Sequence, residues 1–261
     1  MTIDFSTMTI YELIALILSG IAILIPVVKA IWNKFIVVAK LNYYPTGNAT
    51  LFFNQSGTYL QIDGVFEAKR KPVVIKKMAV SVTRKKDDKK LNLSWSSLIS
   101  PVNQNLVGNY LRTTERAHPF QINANSMACA FVEFTDTLDI DGKAIMVNML
   151  DIAEKASQYP MYYKSYDEAV GTYQSYNGYL SAKNSISKEF FWEIGKYEIE
   201  IVTDYNKRKL KYKCSFNVDE SNYQQLNSNI DEVLLVPLKR QYGIPFGFRT
   251  ASVDVMQKDN G

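Results

Sequence analysis

Residues Leu210 to Val218 read Leu-Lys-Tyr-Lys-Cys-Ser-Phe-Asn-Val. Apolar side chains recur at every second position, while Lys209, Lys211, Lys213 and Asn217 lie on the alternate face. A chain in β conformation sends successive side chains to opposite sides, so this pattern predicts a strand buried on one face and wet on the other. One-sided burial belongs to antiparallel sheets, because parallel sheets are covered on both sides and read as unbroken apolar runs. Just upstream, Tyr197, Ile199 and Ile201 repeat the pattern, and Asp204 to Arg208 reads as the turn between the two strands.

The same period runs through much of the chain. Leu60, Ile62, Phe66 and Ala68 alternate with Gln61, Asp63, Glu67 and Lys69, and Pro72 closes that strand. Met78, Val80 and Val82 alternate through the next, and Leu91, Leu93 and Trp95 through the one after. Between them, Arg84-Lys85-Lys86-Asp87-Asp88-Lys89-Lys90 reads as a hairpin tip. Further strands are expected at Phe120–Ala124 and Ala128–Phe134, and Asn42 to Gly47 (NYYPTG) carries a turn signal. The segment Trp192-Glu193-Ile194-Gly195-Lys196-Tyr197, followed by strand, turn and strand, resembles the closing hairpin of immunoglobulin-like and arrestin-like domains. That resemblance implies a β-sandwich of two packed antiparallel sheets, though the Cys–Trp–Cys spacing of antibody domains is not present.

Two helical stretches interrupt the strands. A helical insertion is expected over about 143–187, where Tyr162, Tyr166, Ala169, Tyr173, Tyr176 and Leu180 recur at helical spacing. Packing against the sandwich is the plain account of this stripe; a partner surface is the functional one, since tyrosine joins a large apolar ring to a polar tip. A second helix is expected over about 221–238, with Ser221 as its N-cap, Asp231 and Glu232 towards solvent and Pro237 as its end.

The strands do not extend to the N-terminus. Leu13 to Val28 reads LIALILSGIAILIPVV without a charge, flanked by Tyr11 and Glu12 before and by Lys29 and Trp32 after. From Ile10 to Trp32 the length matches the ~20 residues needed to cross a bilayer. Leu13, Leu16, Leu18, Ser19, Gly20, Ile23, Ile25 and Trp32 are its expected membrane-spanning residues. It is apolar all round, unlike a helix lying on a surface, and no lysine or arginine precedes it, unlike a signal peptide. Lys29, Lys34 and Lys40 follow it, so the positive-inside rule places the N-terminus outside and the large domain in the cytoplasm of the cell. Residues 1–35 are thus read as a short tail plus single-pass anchor, and 36–261 as one soluble domain.

Of 261 residues, 47% are hydrophobic, enough to bury a core. The net charge of +4 lacks the concentrated basic character of a dedicated nucleic-acid binder. Cys129 and Cys214 are too few for a disulfide framework and are expected as free, buried thiols in a reducing compartment.

Residues that could carry chemistry are sparse. His118 is the only histidine, no nucleophile elbow is present, and a structural role at a strand entrance is expected for it. The 12 glycines are scattered singly, whereas phosphate loops need them clustered. Asp136, Asp139 and Asp141 before Gly142 begin like a calcium loop, but Val147 stands where its closing Glu belongs. No catalytic residue, metal or cofactor is expected. Lys85, Lys86, Lys89 and Lys90 are candidates for contact with lipid headgroups, with a solvated turn as their plain account. Ala15 and Ser19, with Gly20 and Ala22 nearby, permit close helix approach and hence self-association. The expected partners are therefore the lipid bilayer and another protein or a second copy of the chain. The expected function is a membrane-anchored, non-enzymatic interaction or sensor module. The alternative is an oligomerising membrane effector, pore-forming or membrane-disrupting, governed by the β domain.

Overall fold

The computed structural model describes residues 9–32, 37–106, 109–137, 140–158 and 165–257. Helix α1 (Ile10–Ile31) is followed by strands β1 (Lys40–Asn54), β2 (Gly57–Lys69), β3 (Val73–Arg84), β4 (Lys90–Leu106), β5 (Asn109–Arg116), β6 (Phe120–Ile122) and β7 (Ser126–Thr137). Helices α2 (Ile140–Gln158), α3 (Tyr166–Ser175) and α4 (Asn177–Glu189) come next. Strands β8 (Gly195–Tyr205) and β9 (Arg208–Val218), helix α5 (Glu220–Gln241) and strands β10 (Ala251–Asp254) and β11 (Met256–Gln257) complete the described chain.

The fold is mainly antiparallel β with one apolar helix ahead of it. All the described strands belong to one sheet, in the order β10–β1–β2–β7–β4–β3–β8–β9–β11, with β5 paired to β4 and β6 to β3. The hydrogen bonding thus does not divide the strands into the two sheets expected of a sandwich. Instead the sheet curls until its ends nearly meet. β10 pairs with β1, β11 pairs with β9, and the N–H of Val255 between them donates to the Gly47 carbonyl at 2.6 Å. A curled sheet that nearly closes leaves few unpaired edges.

Alternation in the sequence becomes inside and outside of this near-barrel. Leu60, Ile62, Phe66 and Ala68 of β2, Met78, Val80 and Val82 of β3, Ile199 and Ile201 of β8, and Cys214, Phe216 and Val218 of β9 are all buried. Tyr197 and Phe216 stack at 5.0 Å across the β8–β9 ladder. Asn206 and Lys207, with φ of 40° and 65°, form the two-residue turn between these strands, the left-handed pair that matches hairpin twist.

Three sequence readings change. The NYYPTG stretch lies inside β1, where it makes a bulge between Pro45 and Ala49 with Gly47 at φ 96°, so its turn chemistry bends a strand without ending it. The second helix begins two residues earlier than expected, capped by Asp219, whose side chain accepts from the Asn222 N–H at 2.8 Å. Pro237 lies within α5 and does not end it, and Glu232 is turned inward to Lys239, 2.7 Å away. The insertion region holds three helices among the described residues, and between α3 and α4 the backbone turns extended at Tyr176 (ψ 133°).

Helix α5 packs on β1 and β10, and α2 and α4 pack on α5. Asn229 pins α5 in place. Its buried amide donates to the Phe53 and Arg249 carbonyls and accepts from the Arg249 N–H, satisfying three backbone groups where helix, β1 and the lead-in to β10 converge.

The registers define two poles. Lys40 faces Lys69, Ile75 faces Tyr205, and Tyr205 faces Arg208, so the pole where β1 enters also holds the β2–β3 and β8–β9 turns. Asn54, Gly57, Arg84, Gly195 and Val218 mark the far pole.

Candidate functional site

Helix α1 starts with a capping box: the Glu12 carboxylate accepts from the Thr9 N–H at 2.8 Å, and the Glu12 N–H donates to the Thr9 hydroxyl. Its 22 residues rise about 33 Å, enough for a hydrocarbon core of about 30 Å. No residue of it is buried. Leu13, Leu16, Leu18, Ser19, Gly20, Ile23 and Ile25 all point outward, and Trp32 at the C-cap is 55% exposed. A core helix of the same composition would be covered by protein. A signal sequence shares this length and apolarity, so these two properties alone identify a membrane span or a signal sequence.

The basic hairpin at the far pole is organised around Arg84, whose side chain is only 4% exposed. Its guanidinium makes a two-pronged contact with Asp87, Nε to Oδ1 at 3.0 Å and Nη2 to Oδ2 at 2.6 Å. Nη1 reaches Glu193 at 2.8 Å and donates to the Phe191 carbonyl. The hydrogen bond with Arg84 holds the Asp87 carboxyl down at about 2. Lys85 lies 3.6 Å from Glu198 and 3.9 Å from Asp88, and Lys86 lies 3.7 Å from Glu193. Lys89 and Lys90 are exposed at the start of β4. The run therefore combines one buried structural cation with two lysines, Lys85 and Lys86, that face the domain's own carboxylates.

The tyrosine stripe does not form one surface. Tyr162 lies outside the described residues. Tyr173 is fully buried and its hydroxyl donates to the Leu234 carbonyl of α5. Tyr166 packs edge-on against Tyr242 at 5.6 Å, and Tyr176 is half-buried at the α3–α4 break. Because the helix breaks there, Tyr179 turns inward in place of Leu180, which is exposed. The stripe holds the helices together, which corrects the reading of Tyr173 as partner surface. The exposed apolar feature of this region lies elsewhere: an open groove of about 500 Å³ between α2 and α5, lined in part by Met146, Val147, Leu150 and Pro237. Met146, Val147 and Leu150 recur at helical spacing, but so do the buried Met149, Ile152 and Ala153, and the sequence does not show which face stays uncovered.

Little chemistry assembles on the barrel. The His118 ring is half-exposed, and its Nδ1 lies 2.9 Å from the Arg116 carbonyl, to which it donates. The pairing of β4 with β5 on one side and β7 on the other brings Glu115, His118 and Cys129 to one hollow of about 270 Å³, a proximity that separation along the chain conceals. Among the described residues no three His, Cys, Asp or Glu side chains are arranged to hold a metal. Asp136 lies near the end of β7 and Asp141 in α2, and Asp139 is outside the described residues. Both cysteines are free, but only Cys214 is buried; Cys129 is exposed, against expectation. Burial pushes the Cys214 thiol up to about 12. Compared with protein-family models, curated proteins and solved structures, the chain matches none.

Proposed function

We propose that this chain is a single-pass membrane protein whose barrel-like domain acts on the cytoplasmic side as a non-catalytic interaction or sensor module. The observation that carries the reading is the uncovered state of α1. The strands bury their apolar faces in one core, while this helix has no buried residue and offers apolar side chains on all faces. Lys29 in its last turn and the basic residues beyond it favour the cytoplasmic placement.

The test is fractionation of cells making the full chain and a version lacking residues 1–35. The full chain should stay with membranes through alkaline extraction, and protease outside intact cells should leave the barrel uncut. The shortened chain should be soluble and folded. Recovery of the full chain as a processed, soluble product would identify α1 as a signal and end the reading.

An oligomerising membrane effector is the alternative, favoured by the open Ala15–Ser19 face, where Gly20 has nothing within 4 Å of its would-be Cβ. Toxicity that disappears when Ser19 and Gly20 become Leu distinguishes it from a harmless adaptor.

A further inference from the structure

The headgroup contact that the sequence suggests at the far hairpin has a better home at the other pole. The chain between Trp32 and Lys40 can stretch at most about 28 Å, so the pole where β1 enters is kept close to the end of α1. The far pole lies roughly 30–40 Å beyond, along strands such as the 13-residue β2. A charged surface is felt only within about 8–10 Å at ordinary salt, so the two poles do not compete equally for a membrane.

Two cationic turns lie at the entry pole: Lys69-Arg70-Lys71 between β2 and β3, where Lys69 pairs with Glu67 at 3.2 Å, and Lys207-Arg208-Lys209 between β8 and β9. They are stitched into one surface. The Arg70 N–H donates to the Asn125 side chain at 3.0 Å, tying the β2–β3 turn to the β6–β7 turn. Asn206 accepts from the Val74 N–H at 3.0 Å and donates to the Pro72 carbonyl at 2.9 Å, tying the β8–β9 turn to the start of β3. Arg70 (φ 72°) and Lys207 (φ 65°) occupy left-handed backbone that glycine or asparagine adopts more easily, yet both positions carry exposed cations. Among the described residues, Arg70, Lys207 and Arg208 have no carboxylate within ion-pair distance, unlike Lys85 and Lys86 at the far pole. Beside the β8–β9 turn an open hollow of about 310 Å³ is lined by Lys76, Lys207, Arg208 and Lys209 with Tyr205. Its one carboxylate, Asp204, sits 3.9 Å from Lys209 and leaves the hollow cationic on balance.

We propose that this entry pole is a docking surface for anionic lipid headgroups, formed by the β2–β3 and β8–β9 turns. The surface would hold the barrel upright on the leaflet from which α1 emerges, fixing which sides of the domain partners can reach. For its orientation the inference rests on the reading of α1 as an anchor.

The test uses the purified full chain in two steps. Flotation with vesicles of phosphatidylcholine alone reads the anchor, because insertion of α1 needs no lipid charge. Amide hydrogen exchange in nanodiscs with and without phosphatidylserine reads the pole. Exchange across residues 69–71 and 206–209 should slow at least about fivefold when phosphatidylserine is present, and exchange across 85–90 should not change. High salt, and the triple change Arg70→Glu, Lys207→Glu and Arg208→Glu, should each abolish the slowing while flotation with neutral vesicles persists. Exchange indifferent to lipid charge in a chain that still floats overturns the docking surface alone, as does protection confined to 85–90. A chain that ignores neutral vesicles but binds phosphatidylserine vesicles through the same turns overturns the anchor and keeps the surface.

Discussion

Tyr43 on β1 and Tyr212 on β9 meet edge to face, with ring centroids 5.2 Å apart and planes at 77°. No ladder joins these two strands directly, so side chains close the seam at the entry-pole end while β10 and β11 bridge it further along. The Tyr43 ring lies diagonally over Gly64, which pairs with Pro45 across the ladder: an added Cβ there would come within 2.5 Å of the Tyr43 hydroxyl. Burial pushes both phenols up, Tyr212 to about 12, so the seam is indifferent to pH in the ordinary range.

Gly64→Ala should therefore lower unfolding free energy by about 1–3 kcal/mol through overpacking. Tyr43→Ala should lower it by about 3 kcal/mol by opening the seam. The double variant should lose less than the sum, because the clash needs both partners. Chemical denaturation of the detergent-solubilised chain measures all three, and strict additivity would deny the contact.

Asn229→Ala should cost about 2–3 kcal/mol, since the buried Phe53 carbonyl and the part-buried backbone of Arg249 lose their partner at once. Amide exchange should then rise first in β10 and at the adjoining turn of α5. A uniform loss across the barrel would show that Asn229 does not act as a local clamp.

Acid should loosen the far hairpin. Arg84 depresses the Asp87 carboxyl from 3.8 to about 2 in the folded chain, so the ion pair's contribution is complete above about pH 4 and disappears as pH falls through 2. Asp87→Asn should lower the denaturation midpoint at pH 6, and its deficit relative to the parent chain should shrink between pH 4 and 2. A deficit that stays constant over that window would assign the loss to something other than charge.

The thiols should differ sharply. Cys129 is exposed, whereas the Cys214 thiol is buried and, at about 12, holds its reactive thiolate fraction roughly a thousandfold below that of an ordinary cysteine. A maleimide should label Cys129 in the folded chain and Cys214 only after denaturation, as peptide mass analysis would show.

The β strands were legible because one-sided burial writes period two into the chain, as in β2 and β9. Their assembly was not, since a one-sided strand reads the same in a sandwich and in a curled sheet. What distinguishes the two is the β10–β1 and β11–β9 pairing of two short segments, which carry too few residues to show a period. The tyrosine stripe misled because one helical phase was carried through Tyr176, where the backbone breaks. The ion pairs of the far hairpin were not legible, because a run of cations does not show that Arg84 points inward or that Glu193 and Glu198 stand opposite the lysines. The entry pole escaped notice because its two turns are distant in sequence and meet only through the register of β2, β3 and β8.

The position of β10 and β11 also shapes the birth of the molecule. A chain leaving the ribosome makes β1 from Lys40 onward, yet the segment that covers its free edge ends only at Asp254, and the one that covers β9 at Gln257. Throughout that interval the nascent domain displays open strand edges, the feature that invites pairing with stray chains.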